Sequence, residues 1–286
     1  MWDLLTEKYS LYSLFKPHWL IILSLLSFFY FKYIVKPITY QVTKNQKRFF
    51  IIAVFFIYLV LGSPINVIGK DFLFSAFVFK LASLFFIIIP LLMLSIPKNF
   101  YRKHLWHYKT RLLINVAGHP WLTLFLFNGL LTLFLIPKIH LFFHNHIFLS
   151  IIFQTILFIS ACLMWWVIIN PLPEMSKLNY ILRASYIFFA SIFLVPIGFY
   201  YIVVQKTHFS YYEKVAGQII PNFTAVYDQQ LAGAILKLTQ LSSYVIALLF
   251  ILIIWRQKEE EKINLNDKSI RYVRGVVVHT DDDPHK

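Results

Sequence analysis

Cysteine occurs once in this 286-residue chain, at Cys162. A single thiol excludes an intramolecular disulfide, a CxxC redox pair and a multi-thiolate metal centre, so metal chemistry within one chain falls to His, Met or carboxylates. Glycine is scarce, with 8 residues, which excludes collagen-like and Gly-rich linker architectures. Charge is the third shortage: Asp, Glu, Lys and Arg make up 14%, against about 25% in ordinary soluble domains. Also missing are a nucleophile with base and orienting carboxylate, a Gly-rich phosphate loop and an HExxH pair, which argues against an enzyme. What is present is 59% hydrophobic residues, including 30 phenylalanines. So much apolar surface must face lipid, and the chain reads as an integral membrane protein.

A bilayer span takes about 20 mostly apolar residues, because the hydrocarbon core is about 30 Å thick and a helix rises about 1.5 Å per residue. Seven runs qualify, at residues 19–35, 49–61, 72–96, 121–136, 147–169, 181–204 and 231–255, the second and fourth being the shortest. The expected fold is all-α, a polytopic bundle of seven transmembrane helices over 19–255. An outer N-terminal arm (1–18) precedes it and a cytoplasmic tail (256–286) follows. The tail carries acidic clusters at 259–261 and 281–283 and few bulky apolar residues, so it is expected to be disordered or loosely helical. The first run is read as a retained helix, not a signal peptide, since Lys32 and Lys36 follow it and no small-residue cleavage site is seen.

The formal net charge of +14 would suggest nucleic acid in a soluble domain. In a membrane protein its distribution sets orientation, because basic residues accumulate in cytoplasmic loops. Residues 32–48 hold five Lys or Arg, residues 98–111 another five, and Lys177 with Arg183 two, all in loops on one side. The alternate loops hold only Lys70, Lys138, Lys206 and Lys214, and seven more basic residues lie in the tail. The N-terminus is therefore expected outside and the C-terminus in the cytoplasm. Trp19, Trp121, Trp165, Trp166 and Trp255 lie near run ends, where an indole keeps its N–H hydrated at the interface.

Charged groups at bilayer depth are costly and are functional suspects by default. Two qualify, Lys80 and Lys237, both about 9 to 12 Å below the outer boundary. Either each lysine snorkels outward along its stem, or both turn inward and pair with Asp71 or Asp228. No run contains Asp or Glu, which argues against a proton relay. Asn128, Gln154 and Gln240 are placed to bridge helices. Asp228 precedes the seventh run, where it is expected to cap that helix. Gln229, Gln230 and Gly233 extend this polar opening and suggest a docking or binding corner. His140, His144 and His146 cluster before the fifth run, and His208 follows the sixth. A spacing of four suits Cu or Zn on one helical face, and a wetted interfacial loop explains the same residues.

Several of these motifs together resemble the CtaG-type assembly factors of caa(3)-type cytochrome c oxidase, multi-span proteins of bacteria. The resemblance rests on Gly62-Ser63-Pro64, Phe74-Ser75-Ala76 and His119-Pro120. More specific are Trp165-Trp166 followed by Pro171-Leu172-Pro173-Glu174, and the run Asp228-Gln229-Gln230-Leu231-Ala232-Gly233. Pro171 and Pro173 are expected to stop the fifth helix. The resemblance implies a non-catalytic factor in the bacterial cytoplasmic membrane that partners subunits of a haem–copper oxidase, binds no nucleic acid, and either assists copper insertion or stabilises a subunit. Members commonly carry His where this chain has Phe77 and Leu135. Transient copper binding here would therefore fall to His140, His144 and His146 with His208. A metal-ion or small-solute transporter is the rival reading; it predicts a polar path through the bilayer.

Overall fold

A computed structural model describes residues 2–213, 217, 220, 222–273 and 276–279. Six helices are long and apolar enough to cross a bilayer: Leu11–Val35, Lys44–Gly62, Phe74–Ser95, Ile147–Ile169, Tyr180–Val203 and Ala225–Glu261. A further span is formed if Tyr108–Ala117 and Pro120–Leu135, which meet at 63°, are counted together. The spans are numbered one to seven in chain order, with the bent pair as the fourth. The bend has a local cause. Gly118 closes Tyr108–Ala117 by donating its N–H to the Ile114 carbonyl, and Pro120 opens the next helix at a position where its missing N–H is not needed. The chain thus forms the expected all-α polytopic bundle.

Several boundaries lie outside the apolar runs, because backbone hydrogen bonding does not stop at the first charged residue. The second span opens at a capping box between Thr43 and Gln46, so Lys44 to Arg48 are helical. The arm expected over 1–18 is helical over Trp2–Lys8 and again from Leu11. Leu5 and Leu14 are wholly buried and pack with Val67, Phe72, Leu73 and Ala225, closing one end of the bundle. The last helix continues to Ser269 instead of ending near Trp255. Residues 256–261 are helix formers, and Arg256 pairs with Glu260 one turn on. Strands Ile270–Val273 and Val276–His279 then pair antiparallel. Over 256–273 and 276–279 the tail is helix followed by this hairpin; residues 274–275 and 280–286, with the second acidic cluster, lie outside those described.

The third span is the axis of the bundle, with 56% of its apolar window buried against 39% for the sixth and less for the other four unbroken spans. It is not a continuous α-helix. Pro90 cannot donate to the Phe86 carbonyl, and the helix widens into a π-turn over Leu84–Ile88. Within that turn the Ile89 N–H bonds Leu84 O instead of Phe85 O. Two carbonyls thereby lose their usual donors, and side chains from other spans replace them. Trp165 Nε1 of the fifth span donates to Phe85 O at 2.7 Å, and Ser243 Oγ of the seventh donates to Phe86 O. Trp165 is 1% exposed, so it is an internal donor, not the hydrated interfacial anchor its position near a run end suggested.

Trp165→Phe removes the donor and part of the indole volume. It is expected to lower unfolding stability in detergent by about 2 kcal/mol. Trp166→Phe, whose ring packs edge-on against Tyr101, should cost about half that or less. Equal melting shifts for the two variants would contradict this account.

Candidate functional site

The polar start of the seventh span is a junction of four segments. The third span begins at Phe74, and its N-cap residue, Leu73, offers no side-chain acceptor. Asp228 supplies it from the seventh span: its two carboxylate oxygens accept from the Phe74 N–H at 2.6 Å and the Ser75 N–H at 3.0 Å. Asp228 is wholly buried. It therefore caps the third span and not, as expected, its own helix. The cap of its own helix is Thr224, whose Oγ1 accepts from the Tyr227 N–H at 3.3 Å. Gln229 donates to Ala225 O and accepts the His208 N–H at 3.0 Å. Gln230 donates to Val204 O at the end of the sixth span, at 3.0 Å. All three side chains join parts of this chain to one another.

Gly233 lies where the seventh span crosses the sixth. A Cβ on Gly233 would stand 2.7 Å from Gly198 O and 2.9 Å from Tyr201 Cβ. A Cβ on Gly198 would in turn meet the Lys237 stem at 2.5 Å. The Lys237 ammonium donates to Gln240 Oε1 at 2.7 Å and Ser191 O at 3.3 Å. Lys80 donates to Asn66 Oδ1 at 3.3 Å. Neither lysine makes the pairing with Asp71 or Asp228 considered from the sequence; each finds neutral oxygens. Of the three intramembrane amides, Gln240 bridges to Ala190 O of the sixth span. Asn128 and Gln154 bond within their own helices, to Leu124 O and Ser150 Oγ.

The histidines separate. His140 sits in the short helix Pro137–Asn145, 4% exposed, with Phe74, Phe77, Phe134 and Phe209 edge-on around its ring at 4.7 to 5.9 Å. Neither of its ring nitrogens has a hydrogen-bond partner. His140 and His144 border one cavity. His146 is exposed, with Nδ1 on Phe142 O at 2.9 Å, and His208 Nε2 meets the Tyr200 hydroxyl at 2.7 Å. Among the described residues no three His, Cys, Asp or Glu converge to hold a metal ion. The four histidines as placed do not fit a resident copper centre.

The opposite end of the bundle carries the second motif. The fifth span stops at Ile169, where Asn170 adopts the left-handed conformation (φ 49°) ahead of Pro171. With its amide nitrogen toward Leu172 O, the Asn170 carbonyl accepts from Arg183 Nη2 at 2.8 Å and Ser176 Oγ at 3.2 Å. Pro173 opens a 3₁₀ turn, Pro173–Met175, in which Glu174 pairs with Arg102. The pair is exposed, and Glu174, which also bonds within its own backbone, has its carboxyl held below the usual range. Trp166 packs over Tyr101 on the same side. A recess of about 570 Å³ lies between the third, fifth and seventh spans, lined by Phe86, Pro90, Trp165 and Phe250, with Thr239 and Ser242 from the seventh and Arg183 from the sixth. Sequence reasoning missed the buried Arg183 and the donor role of Trp165; Pro90 in mid-span was the available signal for the latter.

A family model described as cytochrome c oxidase caa3 assembly factor (Caa3_CtaG) matches residues 29–258. The chain belongs to that family. No curated protein and no solved structure matches it. The matched region contains the Asp228 junction, the Trp165 donor and the Pro171–Glu174 turn.

Two outcomes follow for this family member. Asp228→Asn leaves one acceptor oxygen for two buried N–H groups and is expected to lower stability by about 1–3 kcal/mol, measured by thermal unfolding in detergent; an unchanged melt would rule out the cap. Burial pushes the His140 imidazole down to about 4, with His144 and Lys80 adding to the effect. The folded value lies below the unfolded one, so this contribution is complete above about pH 6.5 and is lost as pH falls toward 4. Wild type should lose about 2 kcal/mol more than His140→Leu between pH 7 and 5; parallel pH curves would contradict it.

Proposed function

We propose that this protein assists maturation of a caa3-type cytochrome c oxidase without catalysis, by holding an oxidase subunit against the bundle in the bacterial cytoplasmic membrane. The observation that carries the reading is the match to the assembly-factor family over residues 29–258. The polar groups of the bundle support a contact role: Asp228, Gln229, Gln230, Lys237 and Trp165 are each engaged with another segment of this chain. The face proposed for the subunit is the recess between the third, fifth and seventh spans, where Thr239 and Ser242 are small enough for another helix to approach closely. Stabilisation of a subunit is favoured over copper handling because His140, His144, His146 and His208 do not assemble into one ligand set.

A deletion strain tests this. It should make the caa3-type oxidase subunits but leave them inactive or unstable, and wild-type chain should restore activity. Complementation with Ser242→Phe, which fills the recess from an exposed position, should restore folded protein and less oxidase activity. Normal oxidase activity in the deletion strain would sink the reading, and full rescue by Ser242→Phe would move the contact to another face.

A further inference from the structure

The two intramembrane lysines have unequal surroundings. Lys237 has two acceptors for its ammonium, and its stem lies against Gly198. Lys80 has the single neutral acceptor Asn66, and its ammonium lies 5.4 Å over the Phe77 ring. Lys16 and Lys70 both repel it electrostatically. Asp71, next in the chain to Lys70, acts on Lys16 and accepts the Tyr9 hydroxyl. The positive charge gathered at this end therefore exceeds the negative.

Lys80 borders a cavity of about 270 Å³ at the end of the bundle that carries Asp228. Its polar lining among the described residues is Lys70, Lys80, His140, His144, Ser150, Gln154 and Tyr212, with no carboxylate among them. Phe77, Phe134 and Phe143 form its apolar wall. His140 borders this cavity with an imidazole that is 96% buried, its ring nitrogens shielded by the surrounding phenylalanines. Two ammonium groups with no carboxylate repel a metal cation and attract an anion. The volume falls just below the range of small-ligand pockets, about 300–1,000 Å³, and suits a headgroup-sized anion better than a whole lipid. We infer that the cavity between the third span, Pro137–Asn145 and the fifth span binds a phosphate-bearing oxyanion, held by Lys80 and Lys70 with neutral donors from Ser150 and Gln154. An anionic phospholipid headgroup and free phosphate share this chemistry.

The test is native mass spectrometry of the full-length protein in non-ionic detergent. The probes are dioctanoyl phosphatidylglycerol, dioctanoyl phosphatidylcholine and inorganic phosphate. Retention of phosphatidylglycerol over phosphatidylcholine identifies a lipid headgroup, and retention of phosphate identifies the soluble anion; both uphold the site. Lys80→Met should weaken the retained probe about tenfold, the loss of one charge-assisted hydrogen bond. Lys70→Gln, at an exposed position that does not endanger folding, should weaken it in the same direction. The proposal is overturned if neither probe binds, if the two lipids bind equally without phosphate, or if both lysine variants bind as wild type does.

Discussion

Inside a bilayer a backbone N–H or C=O left without a partner has no water to turn to, and the third span has such groups at its start, its middle and its end. At the start, Phe74 and Ser75 have N–H groups that Leu73 cannot cap, and Asp228 accepts them. In the middle, Pro90 strips donors from Phe85 and Phe86, and Trp165 and Ser243 restore them. At the end, the Tyr30 hydroxyl of the first span donates to Ser95 O at 3.0 Å. The first, fifth and seventh spans are thus each tied to the third by a hydrogen bond that the third cannot make for itself. Lipid tails offer helices no hydrophobic reason to associate. The defects of the central helix give these spans a fixed register around it.

The seventh span makes the largest share of these ties, and the side chains of its polar opening are engaged within the chain. Asp228, Gln229 and Gln230 look outward in a linear reading because they precede a long apolar run. In the fold they face the third span, the His208 segment and the end of the sixth span. Gly233 lets the sixth and seventh backbones approach, and that approach brings Gln230 within reach of Val204 O. The polar opening of the seventh span thus meets a requirement of the fold.

Much of the architecture was legible in composition and hydropathy. The fifth span matches its apolar run end for end, because its flanks, His146 and Asn170, terminate helix and hydrophobicity together. The second and seventh spans overran their runs because Lys44 to Arg48 and residues 256–261 are polar helix formers, and hydropathy does not register helix propensity. Asp228 was assigned to the wrong helix because a cap is recognised in sequence only when it is local, and here donor and acceptor are 154 and 153 residues apart. The histidines were grouped by spacing, yet His140 turns into a phenylalanine cage while His146 bonds back to Phe142. Side-chain direction in a short connecting helix depends on what the spans leave open, and that is not written locally.

The contrast between Lys80 and Lys237 shows how a buried charge separates structure from ligand. Insertion of either lysine is unfavourable unless oxygens approach the ammonium. For Lys237 the oxygens come from Ser191 of the sixth span and Gln240 of the seventh, so the chain itself supplies two acceptors. For Lys80 the chain supplies one amide oxygen, and the rest of the shell is a cavity shared with Lys70 and with an imidazole that lacks partners. A fold that needed Lys80 only as packing would gain by replacing it with Leu or Met, since neither carries a charge to desolvate. Retention of the charge beside an unfilled donor-lined space is accounted for when an anion completes the shell, because the desolvation penalty and the repulsion from Lys16 and Lys70 are then offset by one bound group.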